Sequence, residues 1–95
     1  MICYKLYYIA DYQCQSNNYI EKYGDIEGEG IENEQAADMA TCAYRCTQRD
    51  DCCAFEFSRI KKMCQLQSKC FPNNPPFEDY RFCQKSKDKY LIELF

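Results

Sequence analysis

Apolar and polar positions alternate in short stretches along the chain. Near the start, Ile2, Tyr4, Leu6 and Tyr8 share one parity, the period of a strand with one buried face. Residues 14–23, CQSNNYIEKY, are polar around Tyr19 and Ile20 and open a second strand. The following GDIEGEGIENEQAAD has neither period and is rich in acids and glycine, so it reads as a solvated loop. At Asp38 the period changes. Met39, Cys42, Ala43 and Cys46 recur at i, i+3, i+4 and i+7, which predicts a helix running to about Arg49 with Asp38 as its N-cap. CCAFEFS then reads as an aromatic-rich strand, Arg59-Ile-Lys-Lys as a hairpin turn, and Met63-Cys-Gln-Leu-Gln as the partner strand. CFPNNPPFED is a loop, because its prolines supply no ladder donors. EDYRFCQK reads as a last strand, and KSKDKYLIELF ends the chain with a basic stretch and an apolar tip.

Size and cysteine usage sharpen this picture. With 95 residues there is room for one domain. Such a domain buries only about 60% of its unfolded surface, so its core is marginal without staples. Nine cysteines point to disulfides and an oxidising compartment. There is no histidine, which removes Cys–His and Ser–His nucleophile pairs and imidazole zinc sites. An all-cysteine zinc site usually shows two C-x-x-C knuckles. Here the spacings around the helix are C-x3-C, C-x5-C and an adjacent pair, so neither zinc nor thiol redox chemistry is favoured. The acidic loop invites a calcium reading. Laid on an EF-hand loop from Asp25, Gly30 falls at position six. However, Ala36 occupies position twelve, where a bidentate glutamate belongs, so the loop is read as metal-free. No metal and no cofactor are expected.

A net charge of −3 gives no basic excess for nucleic acid, and no apolar run approaches 18 residues, so no transmembrane segment is expected. No signal peptide is evident in MICYKLYYIADY, where Lys5 interrupts a short apolar stretch. The cysteines nevertheless argue for an extracellular, secreted chain or the ectodomain of a larger protein.

Geometry limits the sulfur pairings. Cys42 and Cys46 lie one helical turn apart on the packing face. A bridge needs α-carbons within about 7 Å. Cys46 reaches Cys52, just beyond the helix end, and Cys42 reaches Cys64 on the returning strand. Both bridges lock the helix onto the hairpin. The larger loop spans 22 residues and contributes roughly 3 kcal/mol.

Cys42-Ala-Tyr-Arg-Cys46, Cys52-Cys-Ala-Phe-Glu-Phe57 and Cys64-Gln-Leu66, with Asp25–Ile31 upstream and Tyr80-Arg-Phe-Cys83 at the end, resemble the PAN/apple domain family over residues 14–85. On this reading residues 1–13 are a strand-like N-terminal extension and 86–95 a C-terminal one. The resemblance implies a small disulfide-rich α+β domain, with a curled antiparallel sheet of five to seven strands around one α-helix. It implies the same two core bridges, and a third joining Cys14 to Cys83. Cys53 and Cys70 flank the hairpin and are candidates for an added bridge. Cys3 is then left over, for intermolecular pairing in a disulfide-linked dimer or as a buried free thiol.

The resemblance also implies a non-catalytic extracellular module for recognition and adhesion, binding protein or carbohydrate; no catalytic residues are expected. The alternative is a structural, disulfide-stapled unit of a larger extracellular assembly, cross-linked through Cys3. Two surfaces are candidates for a partner. One is basic: Arg45, Arg49, Arg59, Lys61 and Lys62 on the outer helix face and hairpin tip, suited to an anionic glycan. Asp50 and Asp51 beside them favour a solvated mixed-charge surface instead. The other is the exposed aromatic character of Tyr4, Tyr7, Tyr8 and Tyr12 as a sticky edge. Packing of those tyrosines against Tyr90–Phe95 is the preferred reading.

Overall fold

The structure is a computed structural model, and it describes Cys14, residues 18–28 and residues 30–86. The strand expected over residues 1–12, Cys3, the N-terminal tyrosines and the apolar tip 90–95 lie outside the described residues. Five strands form one antiparallel sheet: β1 (Tyr19–Lys22), β2 (Glu32–Gln35), β3 (Ala54–Ser58), β4 (Met63–Gln67) and β5 (Tyr80–Lys85). Their spatial order is β1-β5-β3-β4-β2, and the one helix among the described residues, α1 (Met39–Thr47), lies between β2 and β3 in sequence. The chain is therefore a small α+β domain.

All five residues of the central strand β3 are buried, so both faces of the sheet are covered there. One face packs on α1. Phe55 and Phe57 on β3, Leu66 and Cys64 opposite them on β4, and Met39, Cys42, Ala43 and Cys46 of the helix form the main core. The Tyr19 ring meets Phe55 edge-on at 5.0 Å, and its hydroxyl donates to the Ala43 carbonyl at 3.2 Å. The helix starts as its sequence predicts, with Asp38 Oδ1 accepting from Thr41 N at 2.8 Å. It ends slightly before Arg49. Arg49 N turns back to the Cys46 carbonyl at 3.1 Å, and the Cys46–Cys52 bridge redirects the chain. The ammonium of Lys85 meets the carbonyls of Cys46 and Arg49 at 3.1 and 3.2 Å, where a helix C-terminus favours a cation.

Four disulfides join Cys14–Cys83, Cys42–Cys64, Cys46–Cys52 and Cys53–Cys70, with α-carbon separations of 5.7, 5.6, 5.3 and 4.9 Å. Two of them clamp α1, a third ties Cys14 to the middle of β5, and the fourth joins the residue before β3 to the segment after β4. The sulfurs of Cys14, Cys42, Cys46, Cys52, Cys64 and Cys83 are themselves core atoms. This fits a chain that folds outside the reducing cell interior.

One element differs from the sequence reading. The segment Glu32-Asn-Glu-Gln35, read as loop, is the edge strand β2, paired with β4. Backbone bonds from Ile31 N to the Leu66 carbonyl (2.8 Å) and from Ala36 N to the Lys62 carbonyl (3.0 Å) bracket it. Four polar side chains in a row carry no period, so only the partner's ladder reveals the strand. Gly30 permits its entry. It sits at φ +74°, and a Cβ there would collide with the Leu66 carbonyl oxygen.

Candidate functional site

The five expected cations do not form one patch. Three border β2 and the linker into α1. Arg45 Nη1 donates to the Gln35 carbonyl at 2.8 Å, and Lys62 Nζ to the Ala37 carbonyl at 3.3 Å. Arg49 grips Asp51 with two bonds, at 2.9 and 3.0 Å, and reaches Glu32 at 3.3 Å. Asp51 holds the Arg49 guanidinium firmly charged while cancelling its field. The other two cations lie at the hairpin tip. Lys61 is paired with Glu78 at 2.7 Å and lies over the rings of Phe77 and Tyr80, at 5.7 and 5.9 Å from their centroids. The Arg59 side chain is exposed, with no partner among the described residues. Only Arg49 and Lys61 are thus salt-bridged to acids, and an anionic glycan would meet Arg45, Arg59 and Lys62 as separate cations rather than one patch of five.

That tip is rigidly held. Asp79 accepts from the Ser58 hydroxyl at 2.7 Å and from Ile60 N at 3.0 Å, and Ser58 Oγ in turn accepts from Lys61 N at 3.0 Å. Burial raises the Asp79 carboxyl, but these donors more than offset it and hold it below the ordinary range. Ile60 is thereby presented to solvent at 80% exposure. Beside it, between the tip, the 76–79 turn and the end of β1, opens a groove of about 490 Å³. Its polar lining is balanced: Lys22, Arg59 and Arg81 stand against Glu21, Glu78 and Asp79. Arg81 bonds Glu21 at 3.3 Å across β5 and β1. The groove also takes lining from Tyr23, which is 88% exposed, and from Ile60.

The second face of the sheet holds a different feature. Ile26, Ala54 and Phe82 form a small core, and Glu56 is enclosed with them at 1% exposure. In register, Glu56 lies between Phe82 of β5 and Gln65 of β4. One carboxyl oxygen, Oε2, accepts from Ile26 N at 2.8 Å, and the other, Oε1, has no partner. Burial dominates its titration and pushes it up to about 8. The Ile26 N–H works against that rise, whereas the neighbouring Asp25 carboxyl adds to it. The Gln67 amide lowers it only slightly, and Gln67 Nε2 itself stays unpaired. A cavity of about 170 Å³ opens here, lined by Asp25, Glu27, Glu56, Gln65, Phe77 and Tyr80, with the backbone of Gly28.

Set beside family models, curated proteins and solved structures, the chain matches none of them. Its site must be read from its own residues. Among the described residues, no group of three or more acids or thiols is placed to hold a metal ion, and no helix is long and apolar enough to cross a membrane.

Sequence reading located Arg59 and Lys61 but missed the groove, because Tyr23 and Asp79 come from segments that look like ordinary loop and strand ends. It also missed Glu56. In AFEF a glutamate between two phenylalanines reads as the solvent face of a half-buried strand. The one hint is that both flanking segments, Asp25–Ile31 and Cys70–Asp79, are long enough to fold back over that face.

Proposed function

We propose that the chain is a non-catalytic extracellular recognition module of PAN/apple type whose partner is a protein. The carrying observation is the preformed groove beside the hairpin tip. Its walls come from paired strands and from a hairpin tip held by Asp79, so little ordering is lost on binding. Tyr23 and Ile60 provide exposed apolar anchors, the kind of side chain that dominates protein interfaces. Equal numbers of cations and acids in the lining support a protein over a sulfated glycan, which would favour an unpaired basic surface. Extracellular placement rests on the four bridges.

Arrays of extracellular proteins and of glycans, probed in parallel with the oxidised chain, test this. Protein hits that persist in salt and vanish in Tyr23→Ala/Ile60→Ala support the groove. Hits confined to sulfated glycans that weaken with salt and with Arg45→Ala would replace it with the basic surface. The alternative role, a cross-linking unit, is favoured by a single fact: the bridges use eight of the nine cysteines, which leaves Cys3 no partner within the chain. A thiol-sensitive dimer that disappears in Cys3→Ser would support that role.

A further inference from the structure

We propose that the small cavity on the second face of the sheet is a receptor for one organic cation, the ammonium or guanidinium head of a basic side chain on a protein partner. Three carboxyl groups line it, from Asp25, Glu27 and Glu56, and no cation among the described residues lines it. The decisive group is Glu56. It is 1% exposed, it lines the cavity, and its Oε1 has no hydrogen-bond partner. A buried acceptor without a donor is rare in a folded protein and costs about 1–3 kcal/mol. A donor brought in from outside removes that penalty.

The lining selects the kind of donor. The acids do not form a group that could hold a metal ion, so a compact divalent ion is not matched. The cavity, about 170 Å³, holds several times the roughly 30 Å³ share of one water, and a single cationic head with its last methylenes fits such a space. Phe77 and Tyr80 line the same space and offer aromatic surface to the methylenes and to the charge. Lys61 Nζ already rests over those two rings, which shows that they accept a cation. It is itself paired with Glu78 at 2.7 Å and does not line the cavity. Without a ligand, Glu56 holds a proton instead, so cation and proton compete for one carboxyl. The groups facing it are Asp25 and Glu27 from the loop, Tyr80 from β5, and the neutral amides of Gln65 and Gln67 from β4. None of them supplies a compensating positive charge.

That the partner is a protein rests on the recognition reading above; the cavity's preference for a cation does not. The test is an amide NMR titration of the oxidised full chain with n-butylammonium chloride, n-butanol and calcium chloride. Butylammonium is expected to move the amides of Ile26, Glu27, Gly28 and Glu56, saturating at roughly millimolar concentration. Its affinity should fall roughly twentyfold from pH 8.5 to 6.5 as a proton takes the site. Glu56→Gln should abolish the shifts. Glu27→Gln, at an exposed position where folding is not at stake, should weaken binding several-fold. Equal shifts with n-butanol would overturn the proposal, as would shifts with calcium alone or no shifts with butylammonium. Butylammonium binding here, with no protein bound on the arrays, would retain the cavity and overturn the recognition reading. Protein binding lost in Tyr23→Ala/Ile60→Ala but blind to butylammonium would do the reverse.

Discussion

Raising the pH from 5 to 8.5 should destabilise this protein, against the usual behaviour of an acidic chain. The cause is Glu56. Unfolded, its carboxyl titrates near the ordinary 4.5; folded, burial beneath Ile26 and beside Phe82 and the Asp25 carboxyl push it up to about 8. The native state thus binds the proton more tightly than the unfolded chain. Stability from this group is complete below about pH 4.5 and is lost as pH climbs through about 8. At about 1.4 kcal/mol per pH unit crossed, the ceiling between pH 5 and 8.5 is roughly 4 kcal/mol. That is a large share of the 5–15 kcal/mol typical of a domain.

The assay is urea unfolding with disulfides intact, at several pH values, in a Cys3→Ser background that suppresses thiol exchange. The midpoint should drop steadily from pH 5 to 8.5. Glu56→Gln should flatten the profile, since the amide oxygen still accepts from Ile26 N but no charge develops. Asp38, Asp51 and Asp79 act with the opposite sign. Hydrogen bonds from Thr41 to Asp38 and from Arg49 to Asp51 hold those two low, and at Asp79 the Ser58 and Ile60 donors overcome burial. Their contribution is present above about 3.8 and disappears only in acid. The stability maximum should therefore lie near pH 4–5. A wild-type profile that is flat or rises between pH 5 and 8.5 would refute the reasoning about Glu56.

The bridges should rank by the loop each closes. Paired serine replacements should lose roughly 4 kcal/mol for Cys14/Cys83, at 69 residues of separation, and roughly 2 for Cys46/Cys52, at 6, with Cys42/Cys64 and Cys53/Cys70 between them near 3, all read from urea midpoints. Gly30→Ala should destabilise by about 2 kcal/mol or more, because left-handed backbone and the Leu66 carbonyl both oppose a methyl group. Gly28→Ala, with nothing near its Cβ position, should lose less in the same measurement. Asp38→Ala should lower the thermal midpoint less than the loss of any bridge, and Asp38→Asn should restore most of it, as both side chains accept from Thr41 N.

How far the sequence speaks depends on which force fixed each element. Helix α1 and its inward face were legible because Met39, Cys42, Ala43 and Cys46 repeat at helical spacing, and periodicity records burial directly. Strands β3 and β4 were legible because Phe55, Phe57, Cys64 and Leu66 alternate around a four-residue turn. β2 was not, since its place comes from backbone bonding to β4, and backbone groups are the same in every residue. The groove depends on Asp79 reaching across 21 residues to Ser58, which no local pattern encodes.

Glu56 carries the sharper lesson. Alternation with Phe55 and Phe57 puts Glu56 on the opposite face of β3, which is solvent only if nothing returns over that side. Here the two loops that carry Ile26 and Phe77 return, tied to each other by the Asp25–Asn74 bridge, with Asp25 N donating to the Asn74 carbonyl at 2.9 Å. The apolar members of that second layer are few, Ile26, Ala54 and Phe82. A layer so thin would be stronger with an aliphatic residue at position 56, whose burial would gain free energy where the carboxyl loses it. Stability alone does not account for a glutamate there. A side chain that weakens the layer enclosing it, while lining a cavity with one oxygen left unpaired, is explained by what the cavity can bind.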